Sequence, residues 1–298
     1  MTTTGIVFFA YNTTEIDYVK LSTIAARYAK RYMPGHEICL ITDAGTWEWS
    51  KTSSYWQYAE QAFDEIVLVD PDIRVNQRTH YDSPYHKFTS EFKNGNKHKV
   101  FQYTPYDKTL LLDIDYIVQN DSLAYVFDTD NAVTLFQSAE SLIGEPPALP
   151  QQHLHDYGIP MLWSTAIYFD KTQSLTKLFF ETWEHISKNY DFYKFHYGFP
   201  GKMYRTDYCV SIATHMLNGM GHGDLIDKFP TSMINMSQHD DIVSINTVDE
   251  WGYLVNDRQE NWKDTLTLIQ KENVHVMNKR ALDRNFDDIM AALELDNR

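Results

Sequence analysis

The feature that constrains this chain most is the stretch Thr109-Leu110-Leu111-Leu112-Asp113-Ile114-Asp115-Tyr116-Ile117-Val118, an apolar run broken mid-chain by two carboxylates one residue apart. Residues at i and i+2 of an extended strand share a face, so Asp113 and Asp115 at a fraying strand end can reach one divalent cation. Hard cations take oxygen ligands and bridge to phosphate oxygens, so the pair points to a phosphate-bearing substrate. Three shorter apolar segments precede it, at residues 6–10, 37–42 and 65–69, each bounded by polar or turn residues. Between the first two, Val19, Leu21, Ile24, Ala25 and Tyr28 recur at helical spacing until Pro34-Gly35 ends the pattern. Strand, helix, strand alternation predicts an α/β fold with a mostly parallel sheet flanked by helices, whose ligands gather at the carboxyl ends of the strands. Tyr11-Asn12-Thr13, Thr42-Asp43, Asp70 and the Asp113/Asp115 pair all fall at such ends.

The rest of the chain is less patterned. Residues 70–106 are polar, aromatic and rich in His and Lys, which predicts loops and one helix. Gly-Glu-Pro-Pro-Ala-Leu-Pro at 144–150 excludes a helix or a central strand and reads as a surface excursion or lid. A further strand is expected at 161–169, and helices at 174–188 and 286–295, where apolar residues line one face.

Composition narrows the partners. With 41 Asp and Glu against 26 Lys and Arg the net charge is −15, which repels nucleic acid and anionic membrane while allowing a small, metal-neutralised anion. Cys39 and Cys209 each sit in an apolar segment, so they read as buried thiols rather than a disulfide or thiolate zinc site, as suits a reducing cytoplasm. Residues 6–10 lack a basic leader and a cleavage site and read as a buried strand. No run approaches the roughly 20 apolar residues of a membrane span, so a soluble cytoplasmic protein is expected.

Three segments together resemble a known group. The opening strand ending in Ala10-Tyr11-Asn12-Thr13, the Pro105-Tyr106-Asp107-Lys108 lead-in to Asp113-Ile114-Asp115, and the late Val274-His275-Val276-Met277-Asn278-Lys279 are similar, over residues 5–280, to GT-A fold glycosyltransferases of the family-8, glycogenin-like type. The resemblance implies one catalytic domain over 1–298, with a nucleotide-sugar half at about 1–120 and an acceptor half at about 121–298. It makes Asp113, Asp115 and His275 the ligands of Mn²⁺ (or Mg²⁺), which bridges the diphosphate of a UDP-type donor, and gives Lys279 a second positive charge on that phosphate. Tyr11, Asn12 and Thr13 would receive base and ribose, with the Tyr11 ring stacking on the base. Asp43 would contact the nucleotide or cap the next helix. Asp207, opening a helical run after Arg205-Thr206, would be the catalytic acidic group, a base in an inverting enzyme or a group near the anomeric carbon in a retaining one; it is equally an ordinary helix start. The family-8-like ending favours retention.

The chain departs from the family pattern in two places. Met277 stands where the family has Gly between His and Lys, with Arg280-Ala281 in place of Pro-Trp, and Ser164-Thr165-Ala166 replaces Asn-Ser-Gly. The acceptor implied is a carbohydrate or other hydroxyl compound. A loose resemblance to single-domain glycosyltransferases of large tailed phages adds hydroxylated DNA bases, which the negative charge disfavours.

Two clusters have both a functional and a structural reading. Tyr190, Phe192, Tyr193, Phe195, Tyr197, Phe199 and Tyr204, with Gly198 and Gly201, either grip sugar or pack on one another. His80, His86 and His98 with Lys87, Lys93, Lys97 and Lys99 form a basic patch that either attracts diphosphate or is a solvated face. Competing functions are a haloacid-dehalogenase-type phosphatase, whose acidic pair normally lies near the chain start; a nucleotidyltransferase, for which a Gly-rich basic phosphate loop is missing; and a nucleotide-sugar-binding protein without turnover.

Overall fold

Strands that are apolar at every position need cover on both faces, and the fold supplies it. The computed structural model describes residues 2–70, 76–147, 152–154, 158–199, 203–221, 223–257 and 263–295. Its seven-stranded central sheet contains β1 (Thr4–Phe9), β2 (Glu37–Thr42), β3 (Glu65–Leu68), β6 (Lys108–Leu112), β8 (Val133–Phe136), β10 (Trp163–Asp170) and β11 (Asp227–Lys228), in the order β11-β8-β10-β6-β1-β2-β3. Every pairing is parallel except those of β10, which runs antiparallel to both β6 and β8. The result is an α/β fold with a mixed, mostly parallel sheet. Side chains alternate strictly across it. Ile6, Phe8, Leu110 and Leu112 join the core under the helices Tyr18–Tyr32 and Phe286–Leu295, whereas Val7, Phe9, Leu111 and Ile167 join the core under Ser174–Lys188 and Thr206–Leu217.

Three smaller sheets accompany the central one. The hairpin β4 (Asn76–Asp82) and β5 (His86–Phe92) fills the stretch read from sequence as loops, because its polar residues give no apolar alternation to detect. A four-stranded sheet runs β7 (Tyr116–Ile117), β16 (Val274–Val276), β12 (Met233–Met236), β9 (Ala139–Ser141). An antiparallel sheet of β13 (Asp241–Thr247), β14 (Glu250–Asp257) and β15 (Lys263–Gln270) packs on the first helix, where Tyr28 meets Trp251 edge-on and donates to the Val248 carbonyl at 2.7 Å.

The expected helices at 174–188 and 286–295 and the strand at 37–42 occur with those bounds, and the first helix begins at Tyr18 because Asp17 caps it, accepting from Lys20 N. Cys39 and Cys209 are both buried and form no disulfide. Of the Pro-rich segment, residues 148–150 lie outside the described residues, as does Gly201. Among the described residues, no helix is long and apolar enough to cross a membrane.

One close approach fixes the centre of the sheet. A Cβ on Gly5 of β1 would lie 2.2 Å from the Tyr106 ring. Gly5→Ala is therefore expected to lower the unfolding free energy by about 1–3 kcal/mol, read as a lower urea midpoint at unchanged slope; an unmoved midpoint would contradict this packing.

Candidate functional site

The acidic pair sits just past the carboxyl end of β6, and on a turn rather than on one face of a strand. Asp113 N still donates to Thr165 O of β10 at 2.8 Å, but Tyr116 N then donates to Asp113 O at 3.0 Å, closing the turn before β7 begins. The sequence reading placed both carboxylates on an extended strand; the turn brings them together instead. His275 arrives from far along the chain because β16 pairs with β7, setting His275 opposite Tyr116, while Val276 N donates to Asp115 O at 2.7 Å. Asp113, Asp115 and His275 thereby offer one oxygen or nitrogen each, all within 4.8 Å of one another.

These donors fit a divalent cation. On the far side of the imidazole, Nδ1 donates to Asn235 Oδ1 at 2.9 Å, which leaves Nε2 to carry a proton or to ligate a metal ion. That nitrogen faces Asp115 Oδ1 at 3.5 Å. An imidazole nitrogen facing a carboxylate calls for positive charge between them, either a proton or a cation, and two carboxylates with an imidazole form an oxygen and nitrogen donor set that a divalent metal ion takes. Lysines also supply positive charge here: Lys97 Nζ bonds Asp113 Oδ1 at 2.6 Å, and Lys279 Nζ bonds Asp115 Oδ2. Burial alone would raise the Asp115 pKa; Lys279 and His275 outweigh it and hold the carboxyl below its ordinary range. Nearby, burial followed by the charges of Lys279 and Arg78 pushes His80 down to about 3, a sign of the positive field around the pair.

Asp207 lies across the same small cavity, of 110 Å³, which is lined by the acidic pair, His275, Lys279, Lys97 and Arg78. Its Oδ1 accepts from Ser164 N at 2.9 Å and Ser164 Oγ at 2.8 Å, and its Oδ2 accepts from Arg205 at 3.0 Å. Burial opposes the charge, and Arg205 with Ser164 overcomes it, so the carboxyl stays below the ordinary range and ionised. A carboxylate so fully engaged is a weak proton acceptor and a strong fixed negative charge.

Two larger cavities flank this centre. One of 610 Å³ collects Asn12, Thr13, Asp43, Trp49, Lys93 and Arg280, and shares Lys279 with the acidic cavity. The other, of 390 Å³, shares Asp207, Arg205, Arg78, Trp163, Thr206 and Met277 with it. The residues read from sequence as nucleotide contacts thus converge, with one exception. Tyr11 is 2% exposed and its ring packs against Phe9, so it is closed to stacking on a base. Trp49, overlooked in the sequence because nothing about a tryptophan near the end of a short helix marks it, stands 53% exposed on the 610 Å³ cavity.

The other candidates have structural duties as well. Asp43 caps the helix Ala44–Ser50, accepting from Thr46 N at 2.8 Å and Thr46 Oγ1 at 2.6 Å. Asn12 bonds Asp17 and Val19 N at the start of the first helix, and Thr13 Oγ1 meets Ser90 Oγ of β5 at 2.9 Å. The basic patch divides: His80, Lys97 and His98 are buried and Lys97 reaches the site itself, whereas His86 and Lys87 are exposed. Asn235 and Arg78, missed from sequence, reach the centre through β12 and β4, whose pairings leave no local trace in the chain.

No family model matches the sequence, and no curated protein matches it. Among solved structures the chain is similar to the galactosyltransferase LgtC with donor and acceptor sugar analogs, at 16% identity over 75% of this chain and 72% of that one, with a TM-score of 0.42. It is similar to mouse xyloside xylosyltransferase 1 at 11% identity, over 76% and 85%, with a TM-score of 0.45. It is also similar to 4-diphosphocytidyl-2C-methyl-D-erythritol synthase from Anaerococcus prevotii at 11% identity, over 83% and 91%, with a TM-score of 0.40. At such values the chemistry has to come from this chain's own residues.

Because the Asp115 pKa is depressed by folding, its contribution to stability is complete above the unfolded carboxylate value, about 4, and is lost as pH falls below it. The stability deficit of Asp115→Asn should be constant from about pH 5 to pH 7 and shrink below about pH 4, as followed by urea unfolding. A deficit that grows on acidification would contradict the depressed pKa.

Proposed function

We propose that this protein is a metal-dependent glycosyltransferase of the GT-A type, moving a sugar from a UDP-type nucleotide sugar to an acceptor hydroxyl. The observation that carries the proposal is the position of the Asp113, Asp115 and His275 donors in a narrow cavity between two larger ones. The 610 Å³ cavity is the size and character of a nucleoside site, and the 390 Å³ cavity on the Asp207 side would take donor sugar and acceptor. In this reading residues 1–298 act as one catalytic domain, whose first part, to about residue 120, binds donor and whose remainder binds acceptor.

Asp113, Asp115 and His275 would hold Mn²⁺ or Mg²⁺, which when bound supplies Lewis-acid stabilisation of the departing diphosphate. Lys279, on the wall common to two cavities, sits where a phosphate between nucleoside and sugar would lie, and Lys93 and Arg280 add positive charge on the nucleoside side. Trp49 offers its ring to the base in place of Tyr11. Asp207, kept ionised by Arg205 and Ser164, stabilises positive charge developing at the anomeric carbon better than it accepts a proton, which favours retention.

The test is Mn²⁺-dependent release of UDP from a panel of UDP-sugars. Asp115→Asn should lower kcat by about a thousandfold and remove Mn²⁺ binding in calorimetry; unchanged turnover in that variant would sink the proposal. Trp49→Ala should raise the donor KM by roughly tenfold with kcat nearly unchanged, and an unaltered KM would remove the stacking role.

A further inference from the structure

Beyond the 390 Å³ cavity the depression continues away from the metal-ligand candidates. A 350 Å³ cavity shares Glu140, Pro146, Pro147 and Trp163 with it, and in turn shares Gln137 and Pro160 with a cavity of 700 Å³. Nothing in the proposed transfer step needs this extension, since that reading assigns donor sugar and one acceptor sugar to the 390 Å³ cavity beside Asp207. The far cavity is walled by Tyr197, His196 and His215. Its acidic and basic groups, Asp224 and Lys228, neutralise each other at 3.0 Å. The same helix, Tyr190–Tyr197, leaves Phe192 and Phe195 64% and 89% exposed, with the Phe192 ring stacked on His196.

From this geometry we infer that the acceptor is a neutral oligosaccharide, bound through several sugar units along the three joined cavities, with Tyr197 and His196 forming a distal subsite. The inference rests on the glycosyl-transfer reading and adds the class and length of the acceptor. Flat rings match the C–H faces of pyranoses. Groove carboxylates such as Glu140, and the −15 net charge, repel a polyanionic acceptor such as DNA. The internally neutralised far wall offers hydrogen bonds and rings without net charge. Exposed phenylalanines also suit a lipid surface, but the joined cavities lead to the helix from the reaction centre, which a membrane foot does not require.

The experiment uses the full chain with UDP present and neutral gluco-, galacto- and N-acetylglucosamine oligomers graded from monosaccharide to hexasaccharide, with affinity read by calorimetry. Affinity for at least one series is expected to rise with length. Tyr197→Ala and, independently, the exposed-site variant His196→Ala should each weaken hexasaccharide binding about three- to tenfold while leaving monosaccharide binding and UDP-sugar hydrolysis unchanged. Affinity that does not rise with length in any series, or falls equally for all lengths in the variants, overturns the inference. So does loss of pelleting with phosphatidylcholine vesicles in Phe195→Ala while oligosaccharide binding stays intact. Absence of UDP-sugar hydrolysis in the unmodified protein would count against glycosyl transfer itself, whatever the length dependence shows.

Discussion

The site depends on the hydrogen bond from Val276 N to Asp115 O, which ties the end of the central sheet to a strand more than half the chain away. It holds β16 against β7, sets His275 beside the acidic turn, and lets the chain pass through Asn278 into the helix that begins with Lys279. Asn278 is fully buried; its side chain caps that helix and bonds back to Asp240 O and Asp82. One short strand therefore positions a nitrogen donor and an ammonium group against the same carboxylate. The cost of burying Asp115 is offset by these two partners, which remain close only while β16 stays in register.

The same architecture explains why the three cavities meet where they do. Parallel strands β1, β2 and β6 end together, so Asn12, Asp43 and the acidic turn lie along one edge of the sheet. Antiparallel β10 brings Ser164 back to that edge from the opposite direction, and Ser164 fixes Asp207. Charge is distributed accordingly. A chain of net charge −15 gathers Lys97, Lys279, Arg78 and Arg205 around three aspartates in a cavity of 110 Å³, an arrangement suited to small anions and unsuited to polyanions.

Much of this was legible in the sequence where the signal is local. Apolar strands ending in polar residues marked the sheet edge, and periodic apolar positions marked the helices at 174–188 and 286–295. The Asp113, Asp115 and His275 set came from a resemblance spanning the chain, and the structure brings those residues together. What stayed hidden depends on pairings distant in sequence. Asn235 orients His275 across 40 positions, Lys97 is buried against Asp113 although its neighbourhood reads as a solvated basic run, and the β4–β5 hairpin has no apolar alternation to announce it. Tyr11 misled because a strand-end tyrosine gives the same sequence signal whether its ring faces the cavity or the core.

The most direct measurement of the central claim is anomalous diffraction at the manganese edge from crystals of the full chain soaked with Mn²⁺ and UDP. The account predicts a single strong peak within bonding distance of Asp113, Asp115 and His275 Nε2, with the diphosphate on its open side toward Lys279. A peak elsewhere, or bound UDP with no peak between those three side chains, would contradict it.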